Sequence, residues 1–288
     1  MHQTQVIVSG DDFGRSPEVN EAIIRAFRAG TLTSCSLMVT GGAFDQAVRL
    51  ARENSGLAVG IHLVTVQGKA VLPYAEIPHL VDREGNFPAN PAAAGLKYYF
   101  SSTAREQLKK ELSAQFQRFH AAGLELSHVD SHLHMHVHPV IFAAALDLAE
   151  QHQAKRMRIP CDDFRLAVRF HREDLAGRAL AAFVFWLLTR HMKKRLLGRG
   201  FVFAERVYGH LFSGRMSQEY ALYVLEHLSA DTNEIYFHPS SPDGLPATSS
   251  DRLQGAKELD ILTSSAFRRR LHGPGMVLTN YSGLAANE

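Results

Sequence analysis

One short segment of this chain, HVDSHLHMHVH, concentrates side chains that could bind a metal ion. Neutral imidazole nitrogens and carboxylate oxygens are the usual ligands of Zn²⁺ and related divalent ions. A strand would place His128, Asp130 and His132 on one face, because they occupy alternate positions. His134 and His136 continue this alternation, but their side chains would point elsewhere if the strand ends before them. A tag-like surface tract is the weaker interpretation, since the segment is internal and interleaved with apolar residues.

Four other segments carry side chains suited to the same chemistry. SGDDFG contains Asp11 and Asp12, GIHLV contains His62, MRIP contains Arg158, and YFHPSS contains His238. Adjacent carboxylates repel, so a cation would stabilise one of them while the other remains a proton acceptor. The guanidinium group could hold such a carboxylate in place. The last histidine could act as a general acid.

Each of these residues, taken alone, also has an ordinary structural explanation. Asp11 or Asp12 could bond the backbone of a turn. His62 and His238 could be buried packing residues, since histidine is intermediate in burial. Arg158 could form a surface ion pair. The hypothesis of a metal site therefore depends on whether the fold brings these residues together.

Strand-like and helix-like segments alternate along the whole chain. The predicted strands cover residues 5–9, 34–40, 57–66, 126–132, 155–160, 233–239 and 275–280. Helical periodicity lies between most of them, and residues 67–90 form a loop rich in Pro and Gly. The first helix has Ser16 as its expected N-cap and Gly30 just after its end. This pattern predicts an α/β fold, a TIM-like (β/α) barrel with about seven parallel strands in a single domain, residues 1–288.

The barrel hypothesis makes a prediction about the site. In (β/α) barrels the reactive residues lie at the C-terminal ends of the strands. The aspartate pair, His62, His132, Arg158 and His238 each lie at or near the end of a different predicted strand. We therefore expect side chains more than two hundred positions apart to meet at one mouth of the barrel.

Residues 179–188 form an unbroken apolar run, ALAAFVFWLL, which is followed by the basic TRHMKKRLLGRG. A membrane-spanning helix needs about 20 apolar residues, so this run is too short. It could be a core helix with a solvated basic end. It could instead be a surface that rests on an anionic membrane. We expect an apolar and basic helical insertion near residues 165–215.

Composition narrows the class of protein. The hydrophobic content of 45% and charged content of 21% are typical of a globular protein, and the net charge of +2 argues against a nucleic-acid partner. Cys35 and Cys161 form no C-x-x-C motif, which fits a reducing compartment. The N-terminus lacks the pattern of a signal peptide, so we expect a cytoplasmic protein. Motifs of serine hydrolases, P-loop proteins, zincins and Rossmann enzymes are absent from the sequence.

The motifs SGDDFG, GIHLV, HVDSHLHMH, MRIP and YFHPSS, in this order and spacing, resemble those of YdjC-type carbohydrate deacetylases. The resemblance covers nearly the whole chain. The stretches IPHLVDREGNF, RVYGHLFSGRM and NEIYFHPSSPDG are most similar to the hopanoid-biosynthesis branch of that family, the HpnK-type deacetylases. The resemblance implies a (β/α) barrel and one divalent metal ion, Zn²⁺ or Mg²⁺.

The resemblance also implies a role for each residue that matches a family motif. Three residues would be the metal ligands: Asp12, His62 and His132. Asp11 would be the general base, Arg158 would adjust that base, and His238 would be the general acid. The alternation of the His-rich segment, rather than the resemblance, suggests that three more residues contact the substrate or support the ligands: Asp130, His134 and His136.

The implied reaction is metal-dependent N-deacetylation of an N-acetylglucosamine group on a hopanoid glycolipid, which gives acetate and a free amino sugar. Such a substrate implies peripheral contact with the inner face of the cytoplasmic membrane. The sequence also leaves open whether two copies of the chain form a homodimer.

Two alternatives to this function remain. One is another metal-dependent barrel hydrolase, either a chitooligosaccharide deacetylase or an amidohydrolase or phosphoesterase. The last two usually carry H-x-H on the first strand, where this chain has D-D. The other is a catalytically silent sugar- or lipid-binding protein.

Overall fold

The computed structural model describes residues 3–171, 175–212, 214–242 and 250–284. Within these residues the chain forms seven strands. They are β1 (Thr4–Phe13), β2 (Ser34–Leu37), β3 (Ala58–Leu63), β4 (Val129–Ser131), β5 (Arg206–Tyr208), β6 (Thr232–Phe237) and β7 (Met276–Thr279).

All paired strands are parallel, and they form one curled sheet in the order β4-β3-β2-β1-β6-β5. The seventh strand, β7, pairs with residues 4–7 of β1, and β2 pairs with the following part of β1, residues 9–13. Helices connect and cover the strands, as right-handed βαβ units require. The predicted fold class, a single α/β domain consistent with a (β/α) barrel of about seven strands, is confirmed.

The segment 155–160 differs from its prediction as a strand. It forms only isolated bridges, in which Met157 pairs with Val129 of β4 and Arg156 pairs with Val202. Pro160 has no N–H to donate, which limits further pairing beyond this point. The bridges nevertheless continue the pairing from β4 toward the segment before β5. Arg158 is thereby held beside β4, because its N–H donates to the carbonyl of Val129. The short strand β5 was missing from the sequence prediction.

Ten helices pack around this sheet in the described part of the chain. They are α1 (Pro17–Arg28), α2 (Phe44–Glu53), α3 (Pro91–Phe100), α4 (Ser102–Ala121), α5 (Pro139–Gln151), α6 (Phe164–Phe170), α7 (Leu175–Leu197), α8 (Gln218–Glu226), α9 (Ser250–Thr263) and α10 (Ser265–Leu271). The predicted start of α1 is confirmed, since the Ser16 hydroxyl accepts a hydrogen bond from the N–H of Val19. Gly30 follows the helix with φ +77°, a conformation that favours glycine.

Two helical regions depart from the sequence predictions. The helix α3 was missing from them, because residues 91–100 have no clear apolar periodicity; Pro91 and the Asn90 cap now explain its start. The apolar and basic stretch forms α6 and α7, while β5, inside the same predicted range, belongs to the sheet. Only three of the 23 residues of α7 are buried, Thr189, Met192 and Leu196, so the core-helix interpretation of this segment is wrong.

Side chains alternate between the two faces of the sheet. On β2, Cys35 and Leu37 belong to the main hydrophobic cluster, while Ser36 on the other face contacts buried polar groups. The His128 ring lies so close to β3 that a Cβ atom on Gly60 would be 2.4 Å from it. The interior face of the sheet is therefore polar near the site, and the apolar core lies between the sheet and the helices.

Candidate active site

Three predicted ligand residues converge where β1, β3 and β4 end. The Oδ1 atom of Asp12 lies 2.9 Å from Nδ1 of His132 and 3.3 Å from Nε2 of His62. One potential ligand atom from each residue lies within 4.8 Å of the others, and all three side chains are buried. These residues come from positions up to 120 apart in sequence. The fold thus brings together the three side chains to which the resemblance assigns metal binding.

A bulge in β1 explains how two adjacent aspartates reach the same mouth. The pairing with β2 shifts between Gly10 and Phe13, so Asp11 and Asp12 occupy the irregular part of the strand. Neighbouring residues in a regular strand point to opposite faces, and a bulge changes this alternation. Asp12 also has φ +66°, a left-handed conformation that aspartate adopts more readily than most residues. Such local strain is frequent at functional sites.

A tight turn after β4 determines the positions of the histidines that follow this strand. The strand ends at Ser131, and residues 132–137 form a 3₁₀ turn that contains a kink at Leu133 and His134, with φ +51° and +52°. The imidazoles therefore do not line one strand face. Ser131 stabilises the turn, since its hydroxyl lies 2.6 Å from Nδ1 of His136 and accepts the N–H of the same residue at 2.7 Å.

The electrostatics of the three ligand residues are coupled. Burial alone would raise the pKa of Asp12, but the charges and hydrogen bonds of His132 and His62 hold it well below its usual value. Burial would likewise lower the pKa of His62, but the charge of Asp130 and hydrogen bonds with Asp12 and Asp130 raise it to about 10. A proton on His62 therefore lies between two carboxylates, in a position where positive charge is stabilised.

This donor set fits a divalent cation. One carboxylate and two imidazoles are typical ligands of Zn²⁺ and its relatives, and three protein ligands leave room for water and substrate. The imidazoles would bind the ion in their neutral form, so the cation would replace the proton of His62. The Nδ1 atom of His62 lies 2.7 Å from Oδ1 of Asp130, the kind of contact that orients a metal-binding imidazole. Asp130 would thus orient His62 if that histidine binds the ion.

A second group of three, Asp11, His62 and Asp130, also has ligand atoms within 4.8 Å of one another. Its carboxylate oxygens already have cationic partners, because Arg158 contacts both oxygens of Asp11 and Oδ2 of Asp130. A metal ion there would lie close to the guanidinium group. Asp12, whose other ionic partner is the half-exposed Arg15, is the better carboxylate ligand.

Arg158 is the centre of a buried ionic network. Its guanidinium donates to Asp11 at 2.7 and 2.9 Å, to Asp130 at 2.5 Å and to Glu234 at 2.6 and 3.0 Å. Burial opposes its charge, but the three carboxylates raise the pKa of Arg158 well above its usual value. The Tyr281 hydroxyl donates to the remaining oxygen of Glu234 at 2.5 Å. This network fixes the orientation of Asp11.

The remaining histidines occupy different surroundings. Nε2 of His134 lies 3.0 Å from the Tyr236 hydroxyl, and its Nδ1 has no hydrogen-bond partner among the described residues. The Nε2 atom of His136 instead donates to the carbonyl oxygen of Arg158 at 3.0 Å. Burial lowers the pKa of His136 to about 4, so it is neutral. His136 therefore supports the backbone of Arg158, while His134 belongs to an aromatic wall beside the ligands.

His238 follows β6 and is only partly buried. Its ring lies 5.5 Å from that of Tyr236, at nearly a right angle. Its backbone N–H donates to Glu258 at 2.5 Å, which anchors the residue to α9. Tyr236 links His238 to the rest of the site, because the same tyrosine contacts His134 and lies beneath the guanidinium of Arg158 at 5.1 Å.

The comparisons with known proteins identify the family. Residues 5–273 match the family described as YdjC-like protein. The chain belongs to the YdjC-like family. The resemblance predicted from the motifs is thereby confirmed at the level of the family, while the HpnK-type branch stays a prediction.

Relatives of this YdjC-like protein align with nearly its whole length. A protein of Brevibacillus brevis named carbohydrate deacetylase is 34% identical over 97% of this chain and 99% of its own length. A chitooligosaccharide deacetylase of Escherichia fergusonii is 32% identical over 96% of this chain and 97% of its own. The structure of a candidate cellobiose-phosphate cleavage protein from Enterococcus faecalis V583 superposes with a TM-score of 0.75 at 25% identity, covering 98% and 99% of the two chains.

Sequence reasoning missed several residues of the site. Glu234 and Tyr236 precede His238 at alternate positions of β6, so the strand period alone indicates that all three share a face. Ser36, whose hydroxyl donates to Asp130 at 2.7 Å, offered no comparable signal. The contact between Glu258 and His238 joins residues 20 positions apart in separate elements, which local patterns do not predict.

Proposed function

We propose that this YdjC-like protein is a metal-dependent N-deacetylase that acts on an N-acetylglucosamine group. Release of acetate is the most direct measure of this activity. The observation that carries the proposal is the convergence of Asp12, His62 and His132 beside an aspartate that Arg158 holds in one orientation. A metal site next to a fixed carboxylate is what amide hydrolysis by water requires.

The enzyme class follows from the whole-length relatives. The prediction of a carbohydrate deacetylase, a hydrolase of non-peptide carbon–nitrogen bonds, is confirmed by relatives named carbohydrate deacetylase and chitooligosaccharide deacetylase. The metal, the roles of the individual side chains and the identity of the substrate belong to the proposal.

The cofactor in this proposal is one divalent ion, Zn²⁺ or Mg²⁺, held by Asp12, His62 and His132. When bound, it supplies a Lewis acid that polarises the acetamide carbonyl and favours loss of a proton from water. Asp11 accepts the proton of the attacking water, because its carboxylate is adjacent to the ligands and is fixed by two hydrogen bonds from Arg158. The carbonyl carbon forms a bond to the water oxygen.

His238 is the general acid of the proposal. It donates a proton to the amine nitrogen as the carbon–nitrogen bond breaks, which leaves acetate and a free amino sugar. Its partial exposure allows it to regain a proton from solvent after each turnover. Glu258 fixes its backbone through the N–H contact. His134, on the turn that carries His132, and Tyr236, beside His238, form the wall on which we place the sugar.

The finer proposal is that the sugar is carried by a hopanoid glycolipid. The motif similarity to the HpnK-type branch supports it, and so does a cavity beside the site. This cavity, of ≈ 520 Å³, lies beneath α7 and is lined in part by Phe183, Phe185 and Trp186. It also reaches His210, whose ring is 5.6 Å from that of His134. An apolar group attached to the sugar would fit there. The proposal includes cytoplasmic location and contact with the inner face of the membrane.

A second candidate substrate is a chitooligosaccharide, favoured by the similarity to the relative of Escherichia fergusonii. The test is incubation of the metal-loaded protein with N-acetylglucosaminyl bacteriohopanetetrol, with short chitooligosaccharides and with cellobiose phosphate. We expect loss of one acetyl group, seen by mass spectrometry, with the glycolipid preferred. Preference for the chitooligosaccharide would overturn the lipid substrate alone. Release of phosphate without acetate would overturn the deacetylase proposal.

A further inference from the structure

The helix α7 exposes an apolar face that the fold itself does not require. Within residues 180–187 of this helix, five large apolar side chains are exposed, between 43% and 66%: Leu180, Phe183, Val184, Trp186 and Leu187. Single exposed apolar residues are ordinary, but a contiguous group of this kind marks a site of interaction. Among the described residues, no helix combines the length and the apolar character that crossing a bilayer would need.

The same helix is strongly basic beyond its apolar part. Residues 175–204 contain six basic residues and no Asp or Glu: Arg178, Arg190, Lys193, Lys194, Arg195 and Arg199. Four of them follow directly after the apolar run, within two turns of its end. Arg199 pairs with Asp147 and Glu150 of α5. An apolar face next to the remaining cations is complementary to a surface that is apolar inside and anionic at its boundary.

A second exposed apolar group lies on α3. On α3, the side chains of Leu96, Tyr99 and Phe100 are exposed, the last by 75%. Both α3 and α7 pack against the 3₁₀ turn of residues 132–137, which carries His132. Between them, Leu133 is itself exposed at the tip of this turn. The exposed apolar residues of α3, the turn and α7, which we name the apolar rim, thus border the mouth of the barrel.

We infer that the apolar rim docks the protein on an anionic lipid bilayer, with the mouth of the barrel facing the lipid. Exposed apolar residues spread over two helices and one turn suit a deformable lipid surface better than a protein partner, which would need a matching shape. Tryptophan among phenylalanine and leucine, next to lysine and arginine, is the composition of helices that lie in the membrane interface. The inference extends the proposed function, whose substrate is lipid-linked, but the exposed residues and the charge carry it alone.

Vesicle flotation tests the inference without any substrate. The full-length protein is mixed with vesicles of phosphatidylcholine and phosphatidylglycerol, or of phosphatidylcholine alone. We expect the wild type to float with the anionic vesicles and to be released by salt. Leu180→Gln/Leu187→Gln, which keeps good helix formers on α7, should lower the partition coefficient about ten-fold or more. Lys194→Glu should lower it about five-fold or more.

The matched control for charge is Arg269→Glu. Arg269 is exposed on α10 and lies near Gly30, which follows the C-terminus of α1 at the opposite end of the barrel. The charge change equals that of Lys194→Glu, so unequal effects of the two variants would show that position matters. Equal effects would mean attraction by net charge alone and would overturn the inference.

Two further outcomes would also overturn it. The first is flotation that neither α7 variant changes. The second is a dimer in analytical ultracentrifugation that dissociates in Leu180→Gln/Leu187→Gln, since a second copy would then cover the face. Deacetylation of a soluble chitooligosaccharide, measured in parallel, shows that the variants are folded. A wild type that floats as expected but releases acetate from neither the chitooligosaccharide nor the glycolipid would refute the proposed function and leave the docking surface intact.

Discussion

The ligand cluster and the helix α7 are neighbours at the barrel mouth, yet they are built in opposite ways. At the cluster, charged side chains such as Asp11, Asp12 and Arg158 are buried, and each has an ionic partner. On α7, large apolar side chains such as Phe183 and Leu187 are exposed. Both arrangements cost stability relative to the reverse placement. This contrast is what the two proposals expect of a region that acts on a substrate and a region that contacts a partner outside the chain.

The substitution with the largest expected effect is at Asp11, and it tests whether the buried charges of the cluster serve catalysis. Asp11→Asn keeps the shape of the side chain but removes its ability to accept a proton, so turnover should fall by about a thousand-fold or more. The three ligand residues are unchanged, so the bound metal, measured by elemental analysis, should stay at the wild-type level. Retained turnover would show that another group is the base, or that the protein acts by binding alone.

Removal of Arg158 should give the largest effect on folding. Arg158→Met leaves three buried carboxylates without their shared cation, so the free energy of unfolding in urea should fall by about 3–5 kcal/mol. Arg199→Met is the matched control, because that arginine pairs with Asp147 and Glu150 at the surface. It should change stability little. Equal losses in the two variants would contradict the description of Arg158 as the centre of a buried network.

The free energy of unfolding should fall at acidic pH, because buried histidines that are neutral in the folded protein gain protons when the chain unfolds. Burial lowers the pKa of His128 to about 4, below the value of about 6.5 in an unfolded chain. The unfolded state therefore binds more protons between these two values, and stability is fully present above pH 6.5 and lost as the pH falls toward 4. In His128→Gln, the free energy of unfolding, measured in urea with a chelator present, should fall by up to about 3 kcal/mol less than in the wild type over this pH range. An unchanged pH dependence would contradict the assignment.

The smallest effect is expected on the outer face of α7. Leu187→Gln should change the free energy of unfolding by no more than about 0.5 kcal/mol, because the side chain is exposed. Leu196→Ala on the buried face of the same helix should cost about 2–5 kcal/mol. Similar costs for the two substitutions would show that the exposed face contributes to folding rather than to an external contact.

The sequence predicts the parts of this molecule that depend on local chemistry. The start of α1 follows from Ser16 and Pro17, and the strand that contains His62 follows from its apolar run. The meeting of distant ligand residues follows from a general property of barrels, in which strand ends share one mouth. The fold and the convergence of these side chains were therefore accessible before any coordinates.

The remaining features depend on pairing between distant segments. The bulge at Asp12 exists because β1 pairs unevenly with β2, and no local pattern specifies that register. The bridges of Met157 and the strand β5 are short and irregular, so their propensity is weak beside their tertiary contacts. The exposure of α7 was undecided, because an unbroken apolar run fits a buried helix and a surface helix equally well.

The central claim is that Asp12, His62 and His132 hold one divalent ion. Calorimetric titration of the metal-free protein with Zn²⁺, repeated for Asp12→Asn and Asp11→Asn, tests it most directly. We predict one ion per chain, an affinity lowered by about a hundred-fold or more in Asp12→Asn, beyond the effect of a supporting residue, and wild-type affinity in Asp11→Asn. Loss of binding in Asp11→Asn with retention in Asp12→Asn would place the ion among Asp11, His62 and Asp130 and contradict the account.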